Sequence, residues 1–366
     1  MIKLKHKKLI IFLSLLFLIF ISLVGYYFYG LSPVSNDEEK VIFEIAPLTS
    51  KKDIAQALKN EGLIRNQYVL DIYMAINKSK IQAGKYELSK SMKPTEMLKK
   101  FTNGDILKEE VTITFPEGLR VVDYADILSD KLSINKEDFL NTVNDTIFLK
   151  ELINNEDYWF ITNDILNDQI YYKLEGYLYP DTYTFYKDDD SQTIIKKILD
   201  NSKKQLDTLK DEINISGKSV HEILTVASIL QVELSGNSKT DDSYKDNLKK
   251  IAQVIYKRVN SNDTVGSDVT CYYGVRKKLS EELTMNDILD YNPYNTRLTD
   301  GRMNGKLPIG PISNPYIEAI DAVIHPSNTN YYFFVSNTCT GEMFFEESYV
   351  DFLNKVYELQ SVCSSN

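Results

Sequence analysis

From Leu9 to Gly30 the chain carries no charged side chain, and the stretch before it, MIKLKHKK, holds four lysines and a histidine. An apolar run of that length crosses a bilayer as a helix. It closes on Tyr26, Tyr27, Phe28 and Tyr29, the aromatic residues that settle at a membrane interface. Lysines ahead of the span stay in the cytoplasm, so residues 31–366 are expected outside. A cleaved signal peptide has a shorter apolar region and a small-x-small site, which GYYFYG does not offer. The pattern predicts an uncleaved, single-pass anchor over residues 1–30, with the remainder extracytoplasmic at the cell membrane.

Beyond the span the periods change. Residues 31–40 (LSPVSNDEEK) are polar and read as a linker. Residues 41–45 alternate as a strand does, Thr49 and Ser50 offer a cap for a helix at 53–60, and a second helix is expected at 67–76. Residues 81–88 read as a returning strand and 91–101 as a third helix. These make a small α+β module over 41–106. A larger α+β domain is expected over 107–360. Its pattern gives a strand at 111–119, helices through 142, then an aromatic loop and short strand at 175–186. Helices follow at 191–211, 218–234 and 248–259, where apolar positions recur at helical spacing. Residues 260–316 are rich in Asn, Asp, Gly and Pro and read as loops, which often carry sites. A helix at 317–324 and a buried strand at 331–335 complete the pattern.

One residue breaks its own periodicity. In the helix containing VASILQVELSG (226–236), Ser228, Gln231 and Ser235 share a face, and Glu233 falls on the other side among Val226, Ile229 and Leu230. A carboxyl held against aliphatic side chains is desolvated, which raises its pKa. Such an acid can protonate a leaving oxygen, as glycosidic cleavage requires. The plainer reading is a helix-end glutamate reaching a buried arginine or backbone amide, and periodicity does not separate the two.

Charge and composition narrow the remaining chemistry. The formal net charge is −10, and without the four N-terminal lysines the rest carries −14, so nucleic acid is a poor partner. Cys271, Cys339 and Cys363 allow one disulfide at most, with no pairing indicated. His6, His221 and His325 have no metal-ligand spacing, and no metal or cofactor is expected. Ser216-Gly217-Lys218-Ser219 mimics the tail of a phosphate loop, but Glu212 stands where its first glycine belongs.

The segments around Glu233 resemble the MltG (YceG-like) family of endolytic murein transglycosylases. The matching words occur in the family's order: EGYLYPDTY at 175–183, ASILQVE at 227–233, the helix with Lys257-Arg258, and SDVTCYYG at 267–274. YNT at 294–296, LPIGPISNP at 307–315, His325-Pro326 and YFFV at 332–335 follow. The likeness runs over about residues 110–355, and the 41–106 module resembles the family's LysM-like subdomain less specifically. Departures are Gln231, where the family commonly has a second glutamate; Val269, where a proline follows the aspartate; and Glu342 after Gly341, where a histidine is common. Gln231 falls on the polar face, so its presence is not expected to disable an acid at 233.

The resemblance implies that Glu233 is the catalytic acid of a lytic transglycosylase acting on nascent peptidoglycan strands. It would cleave the MurNAc–GlcNAc bond and leave 1,6-anhydro-MurNAc ends. One glutamate serves both steps, because its two protonation states are used in turn. Asp268, Tyr273, Tyr294, Asn295 and Thr296 would line the glycan groove, although 25 tyrosines mean that most are structural. A hydrolase would need a second carboxylate, from Asp268, Glu175 or Asp181, and either aspartate reads equally as a turn former. The family also implies work beside glycan-polymerising synthases. Two readings stay open: a wall-binding scaffold in which Glu233 is structural, and a muramidase-type hydrolase.

Overall fold

Asn66 and Pro94 show how locally this chain encodes its elements. The Asn66 side chain accepts from the amides of Tyr68 and Val69 and so starts a helix, and Pro94 opens another at its first position. The computed structural model describes residues 2–234, 242–337 and 339–363. The chain forms two compact units, Met1–Glu109 and Glu110–Asn366.

The first unit begins with α1 (Ile2–Gly30), whose stretch Lys7–Gly30 has a mean hydropathy of 2.8 and is long and apolar enough to cross a membrane. After it come β1 (Lys40–Ile45), α2 (Lys51–Asn60), α3 (Gln67–Ile76), β2 (Gly84–Ser89) and α4 (Pro94–Asn103). β1 and β2 pair antiparallel with Phe43 opposite Tyr86. Phe43, Leu58, Met74, Tyr86 and Phe101 meet in a core belonging to this unit alone. The polar run at 31–40 is not a free tether at its start. The Arg65 guanidinium donates to Ser32 Oγ, to the carbonyls of Pro33 and Val34, and to Tyr29 Oη. Five donors in a fixed fork let one side chain hold a turn of backbone that sequence pattern shows only as polar.

The second unit opens with β3 (Glu110–Thr114). β3 stops just before the Pro116-Glu117-Gly118 turn, at which the sequence pattern ends the strand. Next come α5 (Val121–Lys131), α6 (Lys136–Thr142), α7 (Thr146–Asn154) and β4 (Thr182–Tyr186), which pairs antiparallel with β3. Then follow α8 (Ser191–Leu206), α9 (Lys210–Ser216), α10 (Val220–Glu233), α11 (Asp242–Asn260), α12 (Asp268–Gly274), α13 (Met285–Leu289) and α14 (Ile317–Ile324). The last elements are β5 (Phe333–Ser336), its antiparallel partner β6 (Met343–Glu346), and α15 (Tyr349–Cys363). α12 and α13 lie in the stretch expected to be loop, being too short to show a period. β5 is half-buried, not buried; its Phe333 stacks on Phe352 of α15. Cys339 is disulfide-bonded, and Cys271 is buried and free.

α10 is the axis of this unit, packed against α11, α12 and α14, with every residue from Ile223 to Gln231 buried. Its polar face therefore does not meet water. Ser228 Oγ accepts from the Ile312 amide, Ser313 Oγ donates to the Ser228 carbonyl, and Gln231 Oε1 accepts from the Tyr316 amide. The polar positions of this helix thus answer the backbone of 312–316. Ser235, the third member of that face in sequence, lies outside the described residues.

The same loop is held from the other side by Asn314, whose Oδ1 accepts from the amides of Gly176 and Leu178. Gly176 has φ +84°, and a Cβ there would lie 2.4 Å from Pro311 Cβ. Gly176→Ala is expected to destabilise the unit by about 2 kcal/mol, from left-handed backbone strain and overpacking together. A lowered denaturation midpoint checks it.

Candidate active site

α10 ends at Glu233, and its buried face ends there too. The Glu233 carboxyl opens on a cleft of about 450 Å³. One wall is the loop from Asp263 to Asp268; β5 supplies Phe333, Phe334 and Val335, α15 supplies Phe352, and Arg258 and Arg297 complete it. Ser267 Oγ donates to Glu233 Oε1 at 2.6 Å. Burial pushes the carboxyl up to about 7, and the Asp268 charge adds to the rise. The Ser267 hydrogen bond and the charges of Arg258 and Arg297 pull the other way, so desolvation wins.

Among the described residues Glu233 forms no ion pair, and both nearby arginines are engaged elsewhere. Arg258 donates to the carbonyls of Tyr332 and Val265, with its guanidinium 5.2 Å from the centre of the Phe333 ring. Arg297 Nε lies 2.9 Å from Asp268 Oδ1, an ion pair between two residues that line the cleft. The arginines thus supply field without quenching the acid. A carboxyl near pKa 7 can both donate and accept a proton at neutral pH.

A larger cavity of about 680 Å³ lies by Asn163, His221, Glu222 and Leu307. Its histidine is fully used, Nδ1 facing Tyr177 Oη and Nε2 facing the Ile309 carbonyl, each at 2.9 Å. Volume alone does not make that cavity the reactive site.

Of the residues singled out in sequence, the structure brings Glu233 and Asp268 to one cleft. Tyr273, Tyr294, Asn295 and Thr296, expected to line the glycan groove, are all buried and are not among the residues lining this cleft. Tyr273 donates its hydroxyl to Glu175, and Tyr294 Oη accepts from the Tyr171 amide. The rings of Tyr171, Tyr273 and Tyr294 pack on one another. Asn295 Nδ2 donates to the carbonyls of Asp290 and Ile288, while its Oδ1 accepts from the Arg297 amide. Thr296 Oγ1 accepts from the Ser267 amide. Asn295 and Thr296 therefore fix the backbone of the two residues that flank Glu233. Glu175 is fully buried, and exposed Asp181 caps Thr182 and holds Asn201; neither lines the cleft.

Sequence pattern gives no role to Ser267, Arg258, Arg297 or the β5 aromatics. Arg258 sits in a matched helix and Arg297 directly follows YNT, so position was available while direction was not. Among the described residues no cluster of three His, Cys, Asp or Glu could hold a metal ion.

A desolvated glutamate, a hydroxyl donor and an aromatic wall meet in one cleft at the end of a buried helix, an arrangement fit for acid–base chemistry. The chain belongs to the YceG-like family, whose profile matches residues 43–358. It is 30% identical over 330 residues to the endolytic murein transglycosylase of Bacillus subtilis, covering 88% of this chain and 87% of that protein. It is 27% identical to the endolytic murein transglycosylase of Streptococcus pneumoniae, covering 96% of this chain and 65% of that protein. A crystal structure of a YceG-like protein from Listeria monocytogenes superposes with a TM-score of 0.60 at 31% identity, covering 87% of this chain and 99% of that one.

Proposed function

We propose that the chain is a peptidoglycan lytic transglycosylase that cuts the MurNAc–GlcNAc bond of nascent strands, with Glu233 as acid and then base. The observation that carries this reading is a buried carboxyl hydrogen-bonded to Ser267 and, among the described residues, in no ion pair, with burial pushing it up to about 7. Glu233 gives its proton to the bridging oxygen, which leaves as the GlcNAc 4-hydroxyl. The carboxylate then takes the proton of the muramoyl 6-hydroxyl as that oxygen closes on C1. No water is consumed, and Glu233 ends protonated again. The charges of Arg258 and Arg297 favour the carboxylate that exists between the two transfers.

Asp268 keeps a hydrolytic reading in view, being a second carboxylate on the same cleft, but its pairing with Arg297 favours a structural role. Purified glycan strands digested with the wild-type protein and read by mass spectrometry separate the readings. Anhydromuramoyl ends are expected. Reducing muramoyl ends would mean a muramidase-type hydrolase, and uncut strands a wall-binding scaffold.

α1 acts as a single-pass anchor holding residues 31–366 outside the membrane, near the glycan-polymerising synthases; its apolar length and basic flank support this. The strand–helix–helix–strand order of β1, α2, α3 and β2 supports a LysM-like module.

Two substitutions should move the pH profile in opposite directions. The alkaline limb of kcat/KM is expected near pH 7, where Glu233 loses the proton it must donate. Ser267→Ala removes a donor that stabilises the carboxylate, so the limb should move to higher pH. Asp268→Asn removes a repelling charge, so it should move to lower pH. Rates on purified strands across that range decide both.

A further inference from the structure

α3 is apolar around more of its circumference than its core requires. Leu70 and Met74 are buried in the module, and Val69 meets Gly30, where an added Cβ would lie 2.8 Å from its Cγ2. On the other side of Val69, at about 100° per residue, Ile76, Ile72 and Tyr68 follow one another around the helix. All three are exposed, at 69%, 51% and 69%. A stripe at i, i+4 and i+8 that faces no protein among the described residues asks for an occupant.

The anchor helix says what occupies it. Asn66 Nδ2 donates to Tyr26 Oη at 2.6 Å, Arg65 donates to Tyr29 Oη, and the Arg65 guanidinium lies 4.7 Å from the centre of the Tyr29 ring. α3 therefore starts beside the last turns of α1, where aromatic residues mark the interface. It is held there by Arg65 and by the Gly30–Val69 contact, with no free tether between. Cations lie at its far end: Lys51 Nζ reaches the Met74 carbonyl, and Lys78 and Lys80 follow in sequence.

We infer that α3 is an interfacial helix whose Tyr68–Ile72–Ile76 stripe enters the outer face of the bilayer among anionic headgroups, so that the small module lies on the membrane. This rests on the reading of α1 as an anchor. A helix of this kind buries its apolar face about 5–10 Å into the headgroup and acyl boundary. The module would then have a fixed orientation on the bilayer, set by two contacts in place of one.

Tryptophan placed on the stripe reads this directly. Full-length protein with Ile72→Trp in a Trp159→Phe background is reconstituted in phosphatidylglycerol-containing nanodiscs with lipids brominated high on the acyl chain. Phe17→Trp, within α1, is measured alongside with lipids brominated deep on the chain. Both tryptophans are expected to lose about half or more of their emission relative to unbrominated discs, given the burial depth of such helices. Quenching at 17 with red-shifted, unquenched emission at 72 would overturn the inference and leave the anchor standing. Blue-shifted but unquenched emission at 72 would also overturn it, because a protein surface would then cover the stripe. No quenching at 17 would remove the anchor and this inference together.

Discussion

Glu233→Gln is expected to lower the rate of strand cleavage by roughly 10²–10⁴-fold, the contribution of a positioned general acid–base. That corresponds to about 3–5 kcal/mol of barrier. The amide keeps the shape of the acid and an Oε1 that can accept from Ser267 Oγ, so the cleft should keep its geometry. What it loses is the proton for the bridging oxygen and the carboxylate for the 6-hydroxyl, so both transfers fail at once. Stability should not fall, because the substitution removes a group whose charge is penalised by burial. The measurement is the initial rate of new strand ends, paired with a thermal melt. A rate within about tenfold of wild type, with the melt unchanged, would place the acid elsewhere.

How much of this site can be read from sequence depends on the range of the interaction. Glu233 is legible because its misplacement is local: helical period alone sets it among Val226, Ile229 and Leu230. α3 is legible for the same reason, since Asn66 caps it and its apolar positions recur at helical spacing. Tyr273, Tyr294, Asn295 and Thr296 are not, because composition says aromatic or polar without saying which side of a wall it faces. Asn295 uses its side chain on backbone carbonyls five to eight residues away, a turn-like role that sequence cannot tell from sugar binding. Gln231 and Ser228 look solvent-facing by period, yet they bind amides of a loop 84 and 85 residues further on. Arg258 and Arg297 have long side chains whose aim is set by β5 and by the 263–268 loop. Contacts over such separations leave no periodic trace.

Glu175→Ala is expected to destabilise the second unit by roughly 3–5 kcal/mol, a large share of ordinary domain stability. Glu175 is 1% exposed. Its Oε1 accepts from the Val121 amide at 2.9 Å, one of the donors that the start of α5 leaves without a helical partner. Its Oε2 accepts from Tyr273 Oη at 3.0 Å, and Asn314 Nδ2 approaches at 3.4 Å. Alanine would orphan these donors in the interior, each at about 1–3 kcal/mol. Burial nevertheless pushes the acid up to about 8, against the pull of Val121, Tyr273 and Arg120. The folded state therefore keeps a proton that the unfolded chain releases near 4.5. Stability from this group is full below that value, falls as pH rises towards 8, and is flat above it. Glutamine keeps an acceptor for Val121 and can donate to the Tyr273 hydroxyl, so Glu175→Gln should be near neutral at pH 7 and should remove this slope. Glu233, raised to about 7, adds a loss of the same sign over a narrower pH range, so its total is smaller. Denaturation midpoints from about pH 5 to 9 for wild type, alanine and glutamine variants test all three statements. A loss under about 1 kcal/mol in the alanine variant would mean that water reaches the site and replaces the carboxyl.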